Sequence, residues 1–239
     1  MSGRLQDRLA VITGASRGIG RAVALGMAAE GAHVVLVSRT VGGLEEVDDE
    51  IRKVGGKATL VPLDLTDFPG IDRLGATIFE RWGKLDILVG NAGSLGTLTP
   101  LSHMEPKDWD KTLAINVTAN FRLIRSMEPL LKRSDAGRAI FVTSGAAHKC
   151  RPYWGGYSVT KAALDAMVKT WAGELEKTSV RVNLLSPGPT RTAMRKKAMP
   201  GEDPTTLTRP ADLVPLFIEM AMPDYTKNGE IVPYEKVKS

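Results

Sequence analysis

Short apolar runs alternate with longer stretches of helical period along almost the whole chain. Leu9–Thr13 is apolar and of strand length, and a helical pattern follows from about Gly18 to Glu30. His33–Ser38 is short and β-branched, and an amphipathic stretch runs from Val41 to Val54. Further strands are predicted at Ala58–Leu63, Leu85–Gly90, Arg138–Thr143 and Val180–Leu185, with a last one near Glu230–Val232. Helical patterns lie between them near Phe68–Arg81, Pro106–Arg133 and Gly156–Lys177. Strands without polar alternation are covered on both faces, and strands that alternate with helices form a parallel sheet. Right-handed crossovers then make the expected fold an α/β, doubly wound parallel sheet of about seven strands with helices on both faces. No linker, repeat or low-complexity stretch interrupts the pattern, so residues 1–239 are expected to form a single domain. Ala193–Arg209 is polar and carries Pro200, Gly201 and Pro204, which predicts a surface insertion acting as a substrate lid.

Composition changes this picture little. With 43% apolar and 25% charged residues the chain resembles an ordinary globular protein. The single cysteine, Cys150, excludes an internal disulfide. His33, His103 and His148 together with Cys150 form no metal-ligand spacing, so no metal is expected. The first residues form no apolar signal core, and no apolar run reaches the roughly 18 residues that span a bilayer, so a cytoplasmic protein without membrane contact is expected. The net charge of +5 comes from scattered basic residues, the densest group being Arg191, Arg195, Lys196 and Lys197. No aromatic-interleaved stripe accompanies them, which favours a solvated basic surface over nucleic-acid binding. An anionic cofactor would use the same charge.

Between the first strand and first helix lies Thr13-Gly-Ala-Ser-Arg-Gly-Ile-Gly20. Glycines there permit a tight turn and let the backbone approach a pyrophosphate, while the helix N-terminus offers free N–H groups to the anion. The bland alternative is a tight turn with close helix packing. The second strand ends Val37-Ser38-Arg39, without the carboxylate that would hold an NAD ribose. Arg39 instead suits a 2′-phosphate, with Arg17 on its other side, which predicts NADP(H). Asp64 after the third strand is expected at the adenine amino group, and Asn91-Ala-Gly93 lies after the fourth, at the carboxyl end where ligands bind.

Tyr157 and Lys161 are four apart in a helical stretch and therefore share a face. A free tyrosine titrates near 10, and a nearby ammonium favours its phenolate. The pair supplies a general acid or base suited to carbonyl reduction or alcohol oxidation. Ser144 ends the fifth strand, where its hydroxyl can polarise a substrate oxygen. Asn116 is a polar residue inside the apolar stretch Leu113-Ala-Ile-Asn-Val117.

Taken together, Thr13–Gly20, Asn91-Ala-Gly93, Asn116, Ser144, Tyr157-Ser-Val-Thr-Lys161 and Pro187-Gly-Pro-Thr-Arg-Thr192 resemble the short-chain dehydrogenase/reductase family, in order and at its spacing. The resemblance runs from about Gly3 to Thr192 and more faintly to Val232. It implies a Rossmann fold and a catalytic tetrad of Asn116, Ser144, Tyr157 and Lys161. In that tetrad Tyr157 is the acid/base, Ser144 orients the substrate oxygen, Lys161 binds the nicotinamide ribose and lowers the tyrosine pKa, and Asn116 holds a water of a proton relay. The implied cofactor contacts are Gly14, Ser16, Arg17, Gly18, Ile19 and Gly20 of the turn, then Ser38, Arg39, Asp64, Leu65, Asn91, Ala92 and Gly93. Tyr157, Lys161, Pro187, Gly188, Thr190 and Thr192 complete them. The family also implies a homotetramer or homodimer packed through the helices that carry Asn116 and Tyr157. One departure stands out: the last strand continues as Gly229-Glu-Ile-Val-Pro-Tyr-Glu235, without the usual acidic-glycine-glycine turn.

The expected activity is hydride transfer between NADP(H) and a small carbonyl or alcohol, in the first place NADPH-dependent carbonyl reduction. The region Phe121–Lys132 resembles 3-oxoacyl carrier-protein reductases, and Arg122, Arg125, Lys132 and Arg133 could meet an acidic carrier, although a solvated helix face is the favoured reading of them. Reduction of sugars, polyols or quinones fits the same motifs. The competing readings are an NAD-dependent alcohol dehydrogenase and a catalytically silent NADP-binding sensor or scaffold. The substrate pocket is expected to be walled by Ser94–Pro100, Gly145–Gly156 and Ala193–Arg209, with His148, Tyr153 and Trp154 touching substrate beside Ser144 and Tyr157.

Overall fold

Successive residues of a strand point to opposite faces, and in this chain both sets are apolar. The computed structural model describes residues 3–235. Its strands are β1 (Leu9–Thr13), β2 (His33–Ser38), β3 (Lys57–Pro62), β4 (Ile87–Gly90), β5 (Arg138–Val142), β6 (Arg181–Ser186) and β7 (Ile231–Pro233). All pair in parallel in one sheet, in the order β3-β2-β1-β4-β5-β6-β7. The helices are α1 (Gly18–Ala29), α2 (Val41–Lys53), α3 (Phe68–Trp82), α4 (Pro106–Leu113), α5 (Ala119–Leu131), α6 (Ala146–Lys149), α7 (Gly155–Glu174), α8 (Ala193–Ala198) and α9 (Val214–Ala221).

Val11, Val35, Val37, Leu88 and Phe141 face one layer and pack with Leu74 and Ile78 of α3, Leu123 and Met127 of α5, and Leu164 and Val168 of α7. Their chain neighbours Ile12, Val34, Leu36, Val89 and Ile140 face the other, against Val23 and Met27 of α1, Leu44 and Val47 of α2, and Phe217 of α9. Each such buried side chain stabilises by roughly 2 kcal/mol, so these two layers hold the sheet. This is the doubly wound arrangement the alternation predicts. Its chain order reverses between β1 and β4, and the crevice at their carboxyl ends is where such sheets bind ligands.

Three differences from the pattern reading have physical causes. The helix predicted over 106–133 is not uniform: α4 and α5 are joined by a π-helical turn, Ala114–Thr118, that carries Asn116. A π turn leaves no hydrophobic signature and tends to mark functional sites. The pattern predicts no helix at α9, because Leu213–Ala221 is short and largely apolar, with Pro215 in its first turn; without a polar face there is no helical period to detect. The polar segment 193–209 holds the short helix α8 and a 3₁₀ turn at Pro204–Thr206. At the sheet edge, β7 ends on Pro233, a residue an edge strand tolerates.

The amino-terminal ends of the strands are joined by a buried polar knot. Asp86 is fully buried. Its Oδ2 accepts from the Leu9 amide at 2.9 Å, and its Oδ1 accepts from Ser134 Oγ at 2.6 Å and Lys84 Nζ at 2.9 Å. The Arg8 guanidinium lies 3.7 Å away. Asp86→Asn replaces one acceptor with an amide that faces donors, and leaves buried charge uncompensated. We expect about 2 kcal/mol of lost stability, read as a lower urea midpoint at unchanged slope; an unaltered midpoint would show the knot to be dispensable.

Candidate active site

The site is built where β1, β4, β5 and β6 end. β1 runs into the glycine turn, where Gly14 has φ 67° and Gly18 φ 58°. A side chain at Gly20 would collide with the Gly14 carbonyl, so Gly20 serves close helix–turn packing and does not itself line the cavity. Helix α1 then starts at Gly18 without a side-chain cap, leaving its first N–H groups unclaimed by side chains. Asn91 ties the two central strands together: its amide N donates to Thr13 Oγ1 at 3.0 Å and its Nδ2 to the Thr13 carbonyl at 2.9 Å.

A cavity of about 640 Å³ opens from this turn. It is lined by Gly14, Ser16, Arg17, Gly18, Ile19, Ser38, Arg39, Asp64, Leu65, Asn91, Ala92 and Gly93, and on its other side by Ser144, Trp154, Tyr157, Lys161, Pro187, Gly188, Thr190 and Thr192. Every residue expected at the cofactor except Gly20 is therefore in the wall of one cavity. Ser16 and Ser38 hydroxyls bond at 2.8 Å. Arg39 pairs with Asp64 at 3.5 Å. Partial burial pushes the Asp64 carboxyl up, but hydrogen bonds from Thr66 and the Arg39 charge outweigh it and hold it below its ordinary value. Thr192 caps α8 by accepting from the Arg195 amide at 3.1 Å.

At the inner end stand Ser144, Tyr157 and Lys161. Burial pushes the Tyr157 phenol above its ordinary pKa, and a hydrogen bond with Ser144 opposes the shift. This differs from the expected lowering by Lys161. The ammonium sits 5.8 Å from the ring centroid, and desolvation of the phenol dominates. Lys161 is itself buried, and its Nζ donates to the Val142 carbonyl at 2.8 Å. Burial lowers its pKa to about 8, with Asp165 pulling the other way.

Asn116 does not line the cavity, and its carboxamide is fully engaged elsewhere. Its Oδ1 accepts from the Ser94 amide at 2.7 Å, and its Nδ2 donates to the Ser94 carbonyl at 2.8 Å and to Thr160 Oγ1 at 3.0 Å. It thus fastens the loop after β4 to α7. His148 and Tyr153, expected at the substrate, are also outside the lining. His148 turns to Asp165, with Nε2 3.3 Å from Oδ2. Tyr153 is 61% exposed with φ 73°, so its ring points to solvent. Trp154 does face the cavity, 6.1 Å edge-on from Tyr157.

Of the expected walls, Ser94–Gly96 and residues from Ala193 to Ala198 line the cavity, but Arg209 does not. Sequence reasoning missed Lys111 and Ile115, which line it one helical turn apart; their spacing beside Asn116 was the available signal. Of the basic residues considered for an acidic carrier, Arg122 pairs with Asp72, Lys132 with Glu128, and Arg133 covers the Phe79 ring at 5.2 Å. Among the described residues no helix is long and apolar enough to cross a membrane, and no group of three or more metal-ligating side chains converges.

Comparison with known proteins agrees with this geometry. A family model described as short chain dehydrogenase matches residues 8–203. YciK, an uncharacterised oxidoreductase of Escherichia coli K12, is 37% identical over 217 residues, covering 90% of this chain and 86% of its own length. A short-chain dehydrogenase of Shigella flexneri, crystallised with NADP, superposes with a TM-score of 0.93 at 36% identity over 98% of this chain and 99% of that one. Another from Escherichia coli CFT073, crystallised with NADPH, gives 0.91 at 36% identity, over 98% of both chains. On the match of sequence, sheet topology and site, this chain belongs to the short-chain dehydrogenase family of oxidoreductases.

Proposed function

We propose that this chain is an NADPH-dependent carbonyl reductase. The observation that carries the reading is the placement of the Tyr157 phenol, bonded by Ser144 and beside buried Lys161, in the cavity that starts at the glycine turn. The residues fit a phosphorylated dinucleotide. A Cβ at Gly14 would come within 2.9 Å of Asn91 Nδ2 and 3.1 Å of the Ala92 Cα, so glycine there lets the turn pack closely on the loop after β4, and both line the cavity. The α1 N-terminus and Arg17 face an anion there, and Arg39 at the end of β2 suits a 2′-phosphate. Relatives of the same fold crystallised with NADP and NADPH support this choice.

NADPH, when bound, supplies the hydride. Ser144 holds the substrate oxygen, and Tyr157 gives that oxygen its proton. Burial suits the phenol to this, since a raised pKa keeps it protonated until an oxyanion develops beside it. Lys161 places positive charge under the phenol as it becomes phenolate, and it holds the nicotinamide ribose. Asn116 keeps the Ser94 loop and α7 in register with one another. Trp154, Ile115 and Met194 give the substrate side an apolar wall, and the segment 193–209, whose first turn from Ala193 to Ala198 reaches the cavity, is its lid. The chain acts as one folded unit, and Phe121 on α5 and Val159 on α7 are exposed apolar positions that a homo-oligomeric contact would cover.

The test is tryptophan fluorescence titration of the purified chain with NADPH and NADH, followed by a carbonyl panel under NADPH. Trp154, one of the four tryptophans, lies in the cavity wall and so senses a bound nucleotide. Tighter binding of NADPH with measurable turnover is expected. Binding of neither nucleotide would end the proposal, and binding without turnover of any carbonyl would leave a sensor.

A further inference from the structure

The α7 helix carries a second buried charge that the chemistry above does not use. Asp165 follows Lys161 by four residues and is buried to the same degree, 4% exposed. The two therefore lie on one face of the helix, one turn apart. Thr143, the residue before Ser144, donates a hydrogen bond from Oγ1 to Asp165 Oδ1. Asp165 Oδ2 has no hydrogen-bond partner, although it is buried. His148 of α6 lies over it at 3.3 Å, close enough for charge attraction but not aligned as a hydrogen bond. The groups the structure puts around Lys161 Nζ are otherwise neutral: the Val142 carbonyl and the Tyr157 ring.

An ammonium in such surroundings is costly unless a charge of opposite sign is near. We propose that Asp165 is a positioning residue of this site, its buried carboxylate, held by Thr143 and covered by His148, being the counter-ion that keeps the Lys161 ammonium charged inside the fold. His148 thereby has its place behind the catalytic side chains and not at the substrate. The charged and titratable groups facing Asp165 are Lys161 and Lys169 from α7 and His148 from α6, while Thr143 alone reaches it from the end of β5. Those facing Lys161 are Asp165 and Tyr157, both from its own helix.

The signs follow from burial, which pushes the Asp165 carboxyl above its ordinary value while the Thr143 hydrogen bond and the His148, Lys161 and Lys169 charges act to keep it ionised. Desolvation depresses Lys161 to about 8, and Asp165 acts against it. Lys161 is thus charged below about 8 and loses its proton above it. Without the carboxylate, desolvation acts unopposed and the proton is lost at lower pH. The inference rests on the reductase reading of the site, in which Lys161 must be charged to serve ribose and phenol. The readout is consequently the alkaline limb of kcat/KM for NADPH-driven reduction.

Asp165→Asn keeps an acceptor for Thr143 and removes only the charge. Its alkaline limb should move acidward by about one pH unit, the usual scale for a lost neighbouring charge. Asp165→Glu should restore much of the difference. Should Asp165→Asn fail to fold, His148→Lys, at a largely exposed position, sets a permanent positive charge against Asp165 and should move the limb the same way by less. A uniform loss of rate with an unmoved limb would make Asp165 merely structural and overturn the proposal, as would a full-rate variant with the wild-type limb. If no carbonyl of the panel turns over, the same limb is read from NADPH affinity against pH: an acidward shift supports the counter-ion, and an unmoved limb overturns it. Tyr157→Phe separates the two levels. Wild-type turnover in that variant refutes the reductase reading, whereas its loss together with an unmoved limb in Asp165→Asn refutes the counter-ion alone.

Discussion

Replacing Tyr157 with phenylalanine is expected to cut turnover by about a thousandfold while NADPH affinity changes no more than a few-fold. The substitution removes one hydroxyl and leaves the ring. The ring keeps its edge-on contact with Trp154, 6.1 Å between centroids, and remains 5.8 Å from Lys161 Nζ. The wall that receives the nicotinamide end is thus unchanged, and binding should survive. What disappears is the proton donor to the developing alkoxide. No other acid is placed to replace it: Ser144 has an ordinary hydroxyl, and Lys161 points its ammonium at the Val142 carbonyl. Because burial raises the phenol pKa, the wild-type group stays protonated through neutral pH, the state that reduction needs. The reverse reaction needs the phenolate and should therefore improve with rising pH until Lys161 loses its proton near 8. Single-turnover oxidation of bound NADPH together with a fluorescence titration decides the matter. A variant that turns over normally would exclude Tyr157 from the chemistry, and one that no longer binds NADPH would make it a packing residue.

Arg39→Asp should weaken NADPH binding by about a hundredfold and leave NADH binding equal or improved. Arginine at the end of β2 offers a planar fork to a 2′-phosphate, and a charge-assisted hydrogen bond of this kind contributes about 1.5–3 kcal/mol. Ten-fold in affinity corresponds to about 1.4 kcal/mol, so one or two such bonds account for the expected change. Aspartate at the same position repels phosphate and can accept from a ribose hydroxyl instead. The side chain is 60% exposed, so the fold should tolerate the change. One complication is specific to this structure: Arg39 is already paired with Asp64 at 3.5 Å, and the variant sets two carboxylates face to face there. The introduced carboxylate and Asp64 would then repel each other in the free variant, a change common to the binding of both nucleotides. The ratio of NADPH to NADH affinity, not either affinity alone, is accordingly the quantity to measure. An unchanged ratio would make Arg39 a solvated surface residue.

The family, the sheet and most of the cavity wall were legible from the chain alone. Strands apolar on both faces have few architectures open to them, and the Thr13–Gly20 turn has one position in that architecture. The i, i+4 spacing of Tyr157 and Lys161 is a property of one helix, so no distant contact was needed to find it. Local patterns failed where the outcome depended on what a segment packs against. Helix α9 has little polar face because β5 and α1 cover it, and a helix covered on most sides shows no period. The π turn at Ala114–Thr118 differs from an α turn by one residue of backbone, which side-chain hydrophobicity does not record.

At the site itself, the sequence by itself determined which residue types stand at the ends of which strands, because strand and turn spacing are local. It did not determine their partners. His148 and Tyr153 lie in the same short loop region as Trp154, but only the packing of α6 on α7 turns His148 to Asp165 and leaves Tyr153 in solvent. Asn116 reads as a polar residue to be satisfied, and only the return of the Ser94 loop and the packing of α7 show that its carboxamide is held by the Ser94 backbone and the Thr160 hydroxyl. Whether Tyr157 titrates above or below its ordinary value was likewise a tertiary matter. Spacing alone brings an ammonium near the phenol, but desolvation depends on every layer of atoms around both, and those layers come from β5, the loops after β4 and β6, and α7 itself.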